Sequence, residues 1–224
     1  MIFRQAWHIF WKDLLMEWRS KQTISSMLIF AIMVVVVFAF AFQPTRELTK
    51  AVFPGMVWVA FVFSGILGLN RAFVSEKQQD CLMGLIMAPL DRSSIYFGKV
   101  LGTVFLMGFI ELVALPLFFI FFDYRVQGSL LLLVLVIFLG TLGFATVGTF
   151  LAALAANARS SELLLPLILF PILVPVLIAS VKATGIVLTG GEIKELMSWI
   201  RVLGVYDLIF MIVPFLLFEY VLEV

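Results

Sequence analysis

The 224-residue chain is poor in charge, because Asp, Glu, Lys and Arg together supply only 13% of its residues. A typical soluble domain carries about 25%. Hydrophobic residues make up 63%, and 24 of the residues are phenylalanine. At this composition most helices must be apolar on every side, which suits lipid and not water. The sequence therefore predicts an integral membrane protein and excludes a soluble domain.

Residues that build catalytic and metal sites are also scarce. Cys81 is the only cysteine, which excludes an intramolecular disulfide and a cysteine-rich metal site. The sequence contains neither the G-x-x-x-x-G-K-[ST] phosphate-binding loop nor the H-E-x-x-H zinc motif. We therefore predict no catalytic residue and no metal site. The net charge of +1 gives no reason to expect nucleic acid as a partner.

His8, the only histidine, stands ahead of the first long hydrophobic run. It has two readings, as a metal or haem ligand and as an ordinary residue of a polar helix face. A lone histidine at such a position is more often the second. Within the predicted spans, a histidine-ligated haem and a Ser–His protease are both excluded.

Six hydrophobic runs are long enough to cross a bilayer as helices. They are 24–42, 51–69, 100–122, 130–156, 163–181 and 208–221. The first is free of charge over 19 residues. At about 1.5 Å per residue it reaches roughly 28 Å, close to the thickness of the hydrocarbon core. The predicted fold class is all-α, with six transmembrane helices.

The distribution of Lys and Arg sets the predicted orientation. With the N-terminus inside, nine of the fifteen basic residues fall on the cytoplasmic side and six on the outer side. Positive charge accumulates on cytoplasmic loops. We therefore predict an inner-membrane protein with both termini in the cytoplasm.

Two segments outside the spans have amphipathic patterns. Residues 1–22 are predicted to form an interfacial helix, with tryptophans at the level of the lipid headgroups. Its apolar residues are Phe3, Trp7, Phe10, Trp11, Leu14, Leu15 and Trp18. A simple anchor without further function is the alternative. On the outer side, 192–202 is predicted to be a short surface helix that either rests on lipid or covers a pathway.

The longest loop joins the second and third spans and contains a predicted helix at 74–87. One face carries Val74, Cys81, Leu82, Leu85 and Ile86, and the other sides carry Glu76, Gln79, Asp80 and Met83. Pro89 ends this helix because proline lacks an N–H. Asp91 then suits the N-cap of the next helix. The apolar face either fills a groove on a cytoplasmic partner or faces the bilayer.

Glu111 lies near the middle of the third span, where a charged acid costs about 2.5–3.5 kcal/mol to insert. It either faces a pathway or partner helix, or forms a protonated, hydrogen-bonded carboxyl inside the bundle. Both readings point it inward. Pro166, Pro171 and Pro175 predict a kinked fifth span, either moving or static. Gly98 and Gly102 form a G-x-x-x-G motif, which predicts a close helix approach.

Several stretches of the chain resemble a known family. They are 75–85 (Ser-Glu-Lys-Gln-Gln-Asp-Cys-Leu-Met-Gly-Leu), 88–99 (Ala-Pro-Leu-Asp-Arg-Ser-Ser-Ile-Tyr-Phe-Gly-Lys) and the Glu111-Leu112-Val113 and Pro116-Leu117-Phe118 runs. They resemble the haem exporter protein B (CcmB) family, membrane subunits of the ABC transporter of cytochrome c maturation. The resemblance covers nearly the whole chain, and the loop motif is its specific part.

The resemblance implies a permease domain spanning 1–224, without enzymatic activity, whose partner subunit binds and hydrolyses ATP. It implies that 74–87 is a coupling helix. The residues expected to contact the ATPase are Glu76, Asp80, Leu82, Gly84, Leu85, Pro89, Asp91 and Arg92. It also implies an oligomeric complex with haem-handling membrane subunits and a periplasmic haem chaperone. Haem is a candidate cargo and not a bound cofactor of this chain.

Three functions compete at this stage. The first is an ABC permease for cytochrome c maturation, which either transfers haem or releases a haem-loaded chaperone. The second is a permease of the same architecture for a lipid, glycan or drug. The third is a scaffold that assembles other subunits without transport. A self-contained membrane enzyme is disfavoured because no catalytic constellation is present.

Overall fold

The computed structural model describes residues 2–42, 46–78, 91–156 and 161–221, which contain seven α-helices. They are α1 (Ile2–Ser20), α2 (Gln22–Ala41), α3 (Arg46–Gln78), α4 (Arg92–Phe121), α5 (Leu130–Ala156), α6 (Ser161–Thr189) and α7 (Ile193–Val221). Helices α2 to α7 each contain a stretch long and apolar enough to cross a membrane, six in all. The predicted all-α fold with six spans is confirmed, and α5 coincides with the predicted fourth span.

Two helices are longer than predicted. Helix α7 runs unbroken from Ile193 to Val221, so the predicted surface helix at 192–202 and the sixth span at 208–221 form one helix. The separation was wrong because the intervening 203–207 segment contains no proline, and Leu196 and Leu203 are buried on the same side of the helix. Likewise α3 continues past the second span to Gln78, which includes the first residues of the predicted 74–87 helix.

A sharp corner joins α1 to α2. The carboxylate of Glu17 in α1 accepts the backbone N–H groups of Thr23 and Ile24, at 2.8 and 2.9 Å. Those donors belong to the first turn of α2 and have no partner within their own helix. Lys21, between the helices, adopts the left-handed conformation with φ 53°. The corner therefore holds α1 at a fixed angle to the first span.

The N-terminal helix divides its apolar residues between two environments. Ala6, Ile9 and Phe10 are buried, and Phe10 packs edge-on against Phe105 of α4. The other large aromatic residues, which are Phe3, Trp7, Trp11 and Trp18, are at least half exposed. The exposed row suits a headgroup environment, and the interfacial position of α1 stays a prediction.

Helix α5 occupies the centre of the bundle, where it contacts α3, α4, α6 and α7. Glycines on α5 leave room for large side chains of the neighbouring helices. A methyl group at Gly140 would collide with Trp58, and one at Gly148 would collide with Leu69. The indole N–H of Trp58 donates to Thr184 Oγ1 on α6 at 3.0 Å, which joins α3 to α6 beside α5.

Prolines occur inside four of the spans, and at one of them a neighbouring tyrosine satisfies the carbonyl that the proline leaves unbonded. Pro214 lacks the N–H that would bond to the Phe210 carbonyl. The hydroxyl of Tyr96 on α4 shares its single proton between that carbonyl and the carbonyl of Thr146, both at 3.2 Å. Helix α6 runs unbroken through Pro166, Pro171 and Pro175, and the predicted kink there stays a prediction.

Candidate functional site

Glu111 is buried within the bundle, as both readings of the sequence required. Its side chain lies on α4 and is 6% exposed. The hydroxyl of Thr141, on the central helix α5, donates to Glu111 Oε1 at 2.5 Å. A buried carboxyl needs such a partner because its desolvation is otherwise uncompensated. Glu111 therefore joins α4 to α5 in the interior of the membrane-spanning region.

A narrow crevice lies beside Glu111, among α2, α3 and α4. It contains about 130 Å³ of empty space and has no room for a water molecule in this conformation. Its lining comprises Met27, Phe61, Ser64, Met107, Ile110 and Glu111. The Ser64 hydroxyl donates to the Ala60 carbonyl of its own helix at 2.6 Å. Glu111 is thus the acidic side chain of a mainly apolar crevice that has no room for water.

Asp207 is a second buried acid, and the sequence analysis missed it. It is the fifteenth of the 29 residues of α7 and is 5% exposed. The predicted sixth span began one residue later, at 208, which placed Asp207 outside the membrane. The sequence signal that could have revealed it is the apolar stretch from Ile193 to Phe218. This stretch is long enough for one membrane helix only if Asp207 is counted as part of it.

Three of the eight predicted contact residues for an ATPase belong to the described parts of the chain, on either side of the segment between α3 and α4. Asp80, Leu82, Gly84, Leu85 and Pro89 lie outside the described residues, and Glu76 belongs to the last turns of α3. Asp91 occupies the N-cap position of α4, and Arg92 is the first residue of that helix. The Asp91 carbonyl accepts the N–H of Ser94 at 2.8 Å, but its side chain makes no cap bond.

Polar contacts fix the start of α4 to α1. Gln5 Oε1 accepts the hydroxyl of Ser94 at 2.9 Å and the N–H of Asp91 at 3.4 Å. Two turns further along α4, Lys99 forms an ion pair with Asp13 at 2.9 Å. Lys99 is 4% exposed, so this pair is largely shielded from water. Helix α1 therefore contacts α4 immediately after the segment predicted to bind the ATPase.

Gly98 lets the two helices approach closely between these polar contacts. A methyl group at this position would lie 2.8 Å from Ile9 Cβ and 2.9 Å from the Ala6 carbonyl oxygen. At Gly102, one turn later, nothing lies within 4 Å. The G-x-x-x-G motif thus packs through Gly98 against the N-terminal helix and leaves Gly102 without a described neighbour.

Within the described ranges, no three His, Cys, Asp or Glu residues come together in a group that could hold a metal ion. The fold, with six helices of membrane length among the described residues, defines a polytopic, all-α membrane protein. The sequence profile of the CcmB protein family matches residues 4–221, and the chain belongs to that family.

Several proteins named heme exporter protein B are similar to the chain. The one from Pseudomonas aeruginosa is 26% identical over 182 residues, which is 81% of each chain. The one from Rhodobacter capsulatus is 30% identical over 151 residues, or 67% of this chain and 69% of the relative. The one from Haemophilus influenzae is 27% identical over 189 residues, or 83% and 85%.

Proposed function

We propose that this chain is the membrane component of a haem export system that acts in cytochrome c maturation. The match to the CcmB family over residues 4–221 is the observation that carries the proposal. The six-span bundle agrees with a permease role. The absence of a phosphate-binding loop from the full sequence agrees with ATP hydrolysis by a separate subunit.

The proposed coupling path begins in the segment between α3 and α4, which enters a groove of a cytoplasmic ATPase. Both termini then lie in the cytoplasm, on the inner face of the bacterial inner membrane. The contacts of α1 with Ser94 and Lys99 favour this path because they make the start of α4 part of a larger rigid unit. Movement of the segment would then displace α1 and α4 together.

The cargo step has two forms within this proposal. Either haem moves by way of this subunit, or the motion frees a haem-loaded periplasmic chaperone from a haem-handling membrane subunit. The crevice beside Glu111 has no room for haem, so the first form requires either movement of the helices around it or another route.

Purification from native membranes tests the proposal directly. A tagged chain should co-purify with an ATPase and with haem-binding membrane proteins, and the complex should show haem absorbance. Recovery with an ATPase but with lipid-, glycan- or drug-handling proteins would replace the haem assignment by another cargo. ATPase activity that is independent of this chain would favour a scaffold.

Glu111→Leu is expected to impair cytochrome c maturation without reducing membrane insertion. Removing the acid lowers the insertion cost by about 2.5–3.5 kcal/mol, so the amount of protein in the membrane should not fall. The Thr141 hydroxyl loses its hydrogen-bond acceptor, and a buried hydroxyl without a partner lowers the stability of the folded bundle by about 1–3 kcal/mol. Haem staining of c-type cytochromes, normalised to the amount of membrane protein, measures the loss.

Glu111→Gln is the matched control, because its side-chain oxygen can still accept the Thr141 hydroxyl. It should retain more maturation than Glu111→Leu. Normal maturation in Glu111→Leu would reduce Glu111 to a packing residue.

A further inference from the structure

Three buried polar atoms without a hydrogen-bond partner lie where α5, α6 and α7 meet, a region that we call the α5–α6–α7 seam. Among the described residues, four buried side-chain oxygens make no hydrogen bond, and three of them are Ser180 Oγ and the two carboxyl oxygens of Asp207. The fourth, Asp13 Oδ1, forms an ion pair with Lys12 at 3.0 Å. A buried polar group without a partner is rare and indicates a bound species or a functional constraint.

Two glycines of α5 create this seam. A methyl group at Gly143 would lie 2.6 Å from Asp207 Oδ1, and one at Gly140 would lie 2.5 Å from Ser180 Oγ. Gly140 and Gly143 are three residues apart, so they share a face of α5. Val176, which is also close to Gly143, is four residues from Ser180 on α6. The carboxyl and the hydroxyl therefore lie about one helical turn apart along the same groove.

Among the described side chains packed around Asp207, none brings a positive charge to its carboxyl. Helix α5 contains no charged residue. The one charged residue among the described side chains of α6 is Lys182, which is exposed. On α4, Lys99 forms an ion pair with Asp13, and Glu111 accepts a hydrogen bond from the Thr141 hydroxyl. The Tyr96 hydroxyl is engaged with two backbone carbonyls. On α7 itself, Arg201 is exposed and the Tyr206 hydroxyl donates to the Ile172 carbonyl at 2.9 Å.

We propose that the α5–α6–α7 seam is a proton-binding site in which Asp207 takes up one proton when the bundle is closed. The step forms one O–H bond on a carboxylate oxygen and changes the side-chain charge from −1 to 0. An isolated carboxylate in this environment costs far more than a neutral polar group. Ser180 supplies the next polar group along the seam.

A proton fits this site better than a larger cation. Ca²⁺ takes six to eight oxygen ligands and Mg²⁺ requires octahedral coordination. The nearest groups around Gly143 are the Asp207 oxygen, a Val176 methyl and the Tyr206 ring, so oxygen ligands are few. A proton needs no such shell. Loss of the proton would leave an uncompensated charge against α5 and favour separation of α7 from α5, which makes the seam sensitive to pH.

Infrared spectroscopy of the full chain, purified from native membranes with any attached proteins, tests the assignment. The difference between the wild type and Asp207→Asn at neutral pH should contain one carboxylic-acid C=O band, which shifts in D₂O. Glu111→Gln should keep the Asp207 band. Ionised-carboxylate bands in place of the acid band would overturn the proposal.

Gly143→Ala provides an independent arm. The added methyl would lie 2.6 Å from Asp207 Oδ1 and should displace the carboxyl within the seam, so that the acid band shifts in frequency or in the pH at which it disappears. Gly102→Ala is the matched glycine control, because nothing lies within 4 Å of its added methyl. An unchanged band in Gly143→Ala would contradict the seam as the binding site. None of these measurements depends on haem export or on an ATPase.

Discussion

Leu85→Asp is expected to abolish cytochrome c maturation while the protein still inserts and folds in the membrane. Leu82, Leu85 and Ile86 lie on one predicted helix face, which we expect to fill a groove of the ATPase subunit. A buried anchor of this kind contributes about 2 kcal/mol or more, so its loss lowers affinity by roughly 30-fold or more. An aspartate adds the cost of burying a charge without a partner.

The measurements are co-purification of the ATPase, ATP turnover by the purified complex and haem staining of c-type cytochromes. Met83→Asp is the matched control, since Met83 lies off the predicted apolar face and the added charge is the same. Glu76→Lys tests the polar side and should also weaken the ATPase contact. A wild-type yield of the complex together with normal maturation in Leu85→Asp and Glu76→Lys would contradict the coupling role.

The described structure explains why a disturbance in this segment should reach the interior of the bundle. On one side, α3 is a continuous helix from the core residues Ile66 and Leu69 to Gln78. On the other side, α4 begins at Arg92 and carries Glu111 further along the same helix. A rigid helix moves as a unit, so a displacement at either end of the segment would change the packing around Glu111.

The number of spans was predictable because apolar runs of membrane length are a local property of the sequence. Their ends were less predictable. Asp207 interrupts the hydrophobicity of α7, and a reading by hydrophobic runs therefore began the sixth span at 208, one residue after it. In the bundle, the missing side chain of Gly143 makes space for the Asp207 carboxyl. That compensation involves two residues 64 positions apart in the sequence and has no local signature.

The candidate site shows the same division between local and long-range information. Glu111 was identifiable because a carboxyl near the middle of an apolar run is conspicuous, but its partner Thr141 lies on another helix. The G-x-x-x-G motif correctly predicted a close helix approach. Its spacing could not identify the partner, which is the amphipathic helix α1 and not a transmembrane span.

The position of α1 leads to the second large expected effect, in the variant Gly98→Leu. Four added carbons would meet Ile9 and the backbone carbonyl of Ala6, and backbone cannot rotate away as a flexible side chain can. Overpacking by a few methylenes typically costs about 1–3 kcal/mol. We expect at least about 3 kcal/mol here, or roughly a hundredfold change in the ratio of docked to undocked α1. Cytochrome c maturation should fall with it.

Cross-linking measures the docking of α1 directly, because Gln5 and Ser94 are in hydrogen-bond contact. Cysteines at these two positions, in a Cys81→Ser background, should react with a short bismaleimide when α1 is docked. Gly98→Leu should largely eliminate the cross-link. Gly102→Leu adds the same side chain one turn later, where nothing lies within 4 Å of the first added carbon, and should leave it unchanged. Equal cross-linking in the two variants would show that the approach at Gly98 does not hold α1 against α4, and the coupling path would then have to bypass α1.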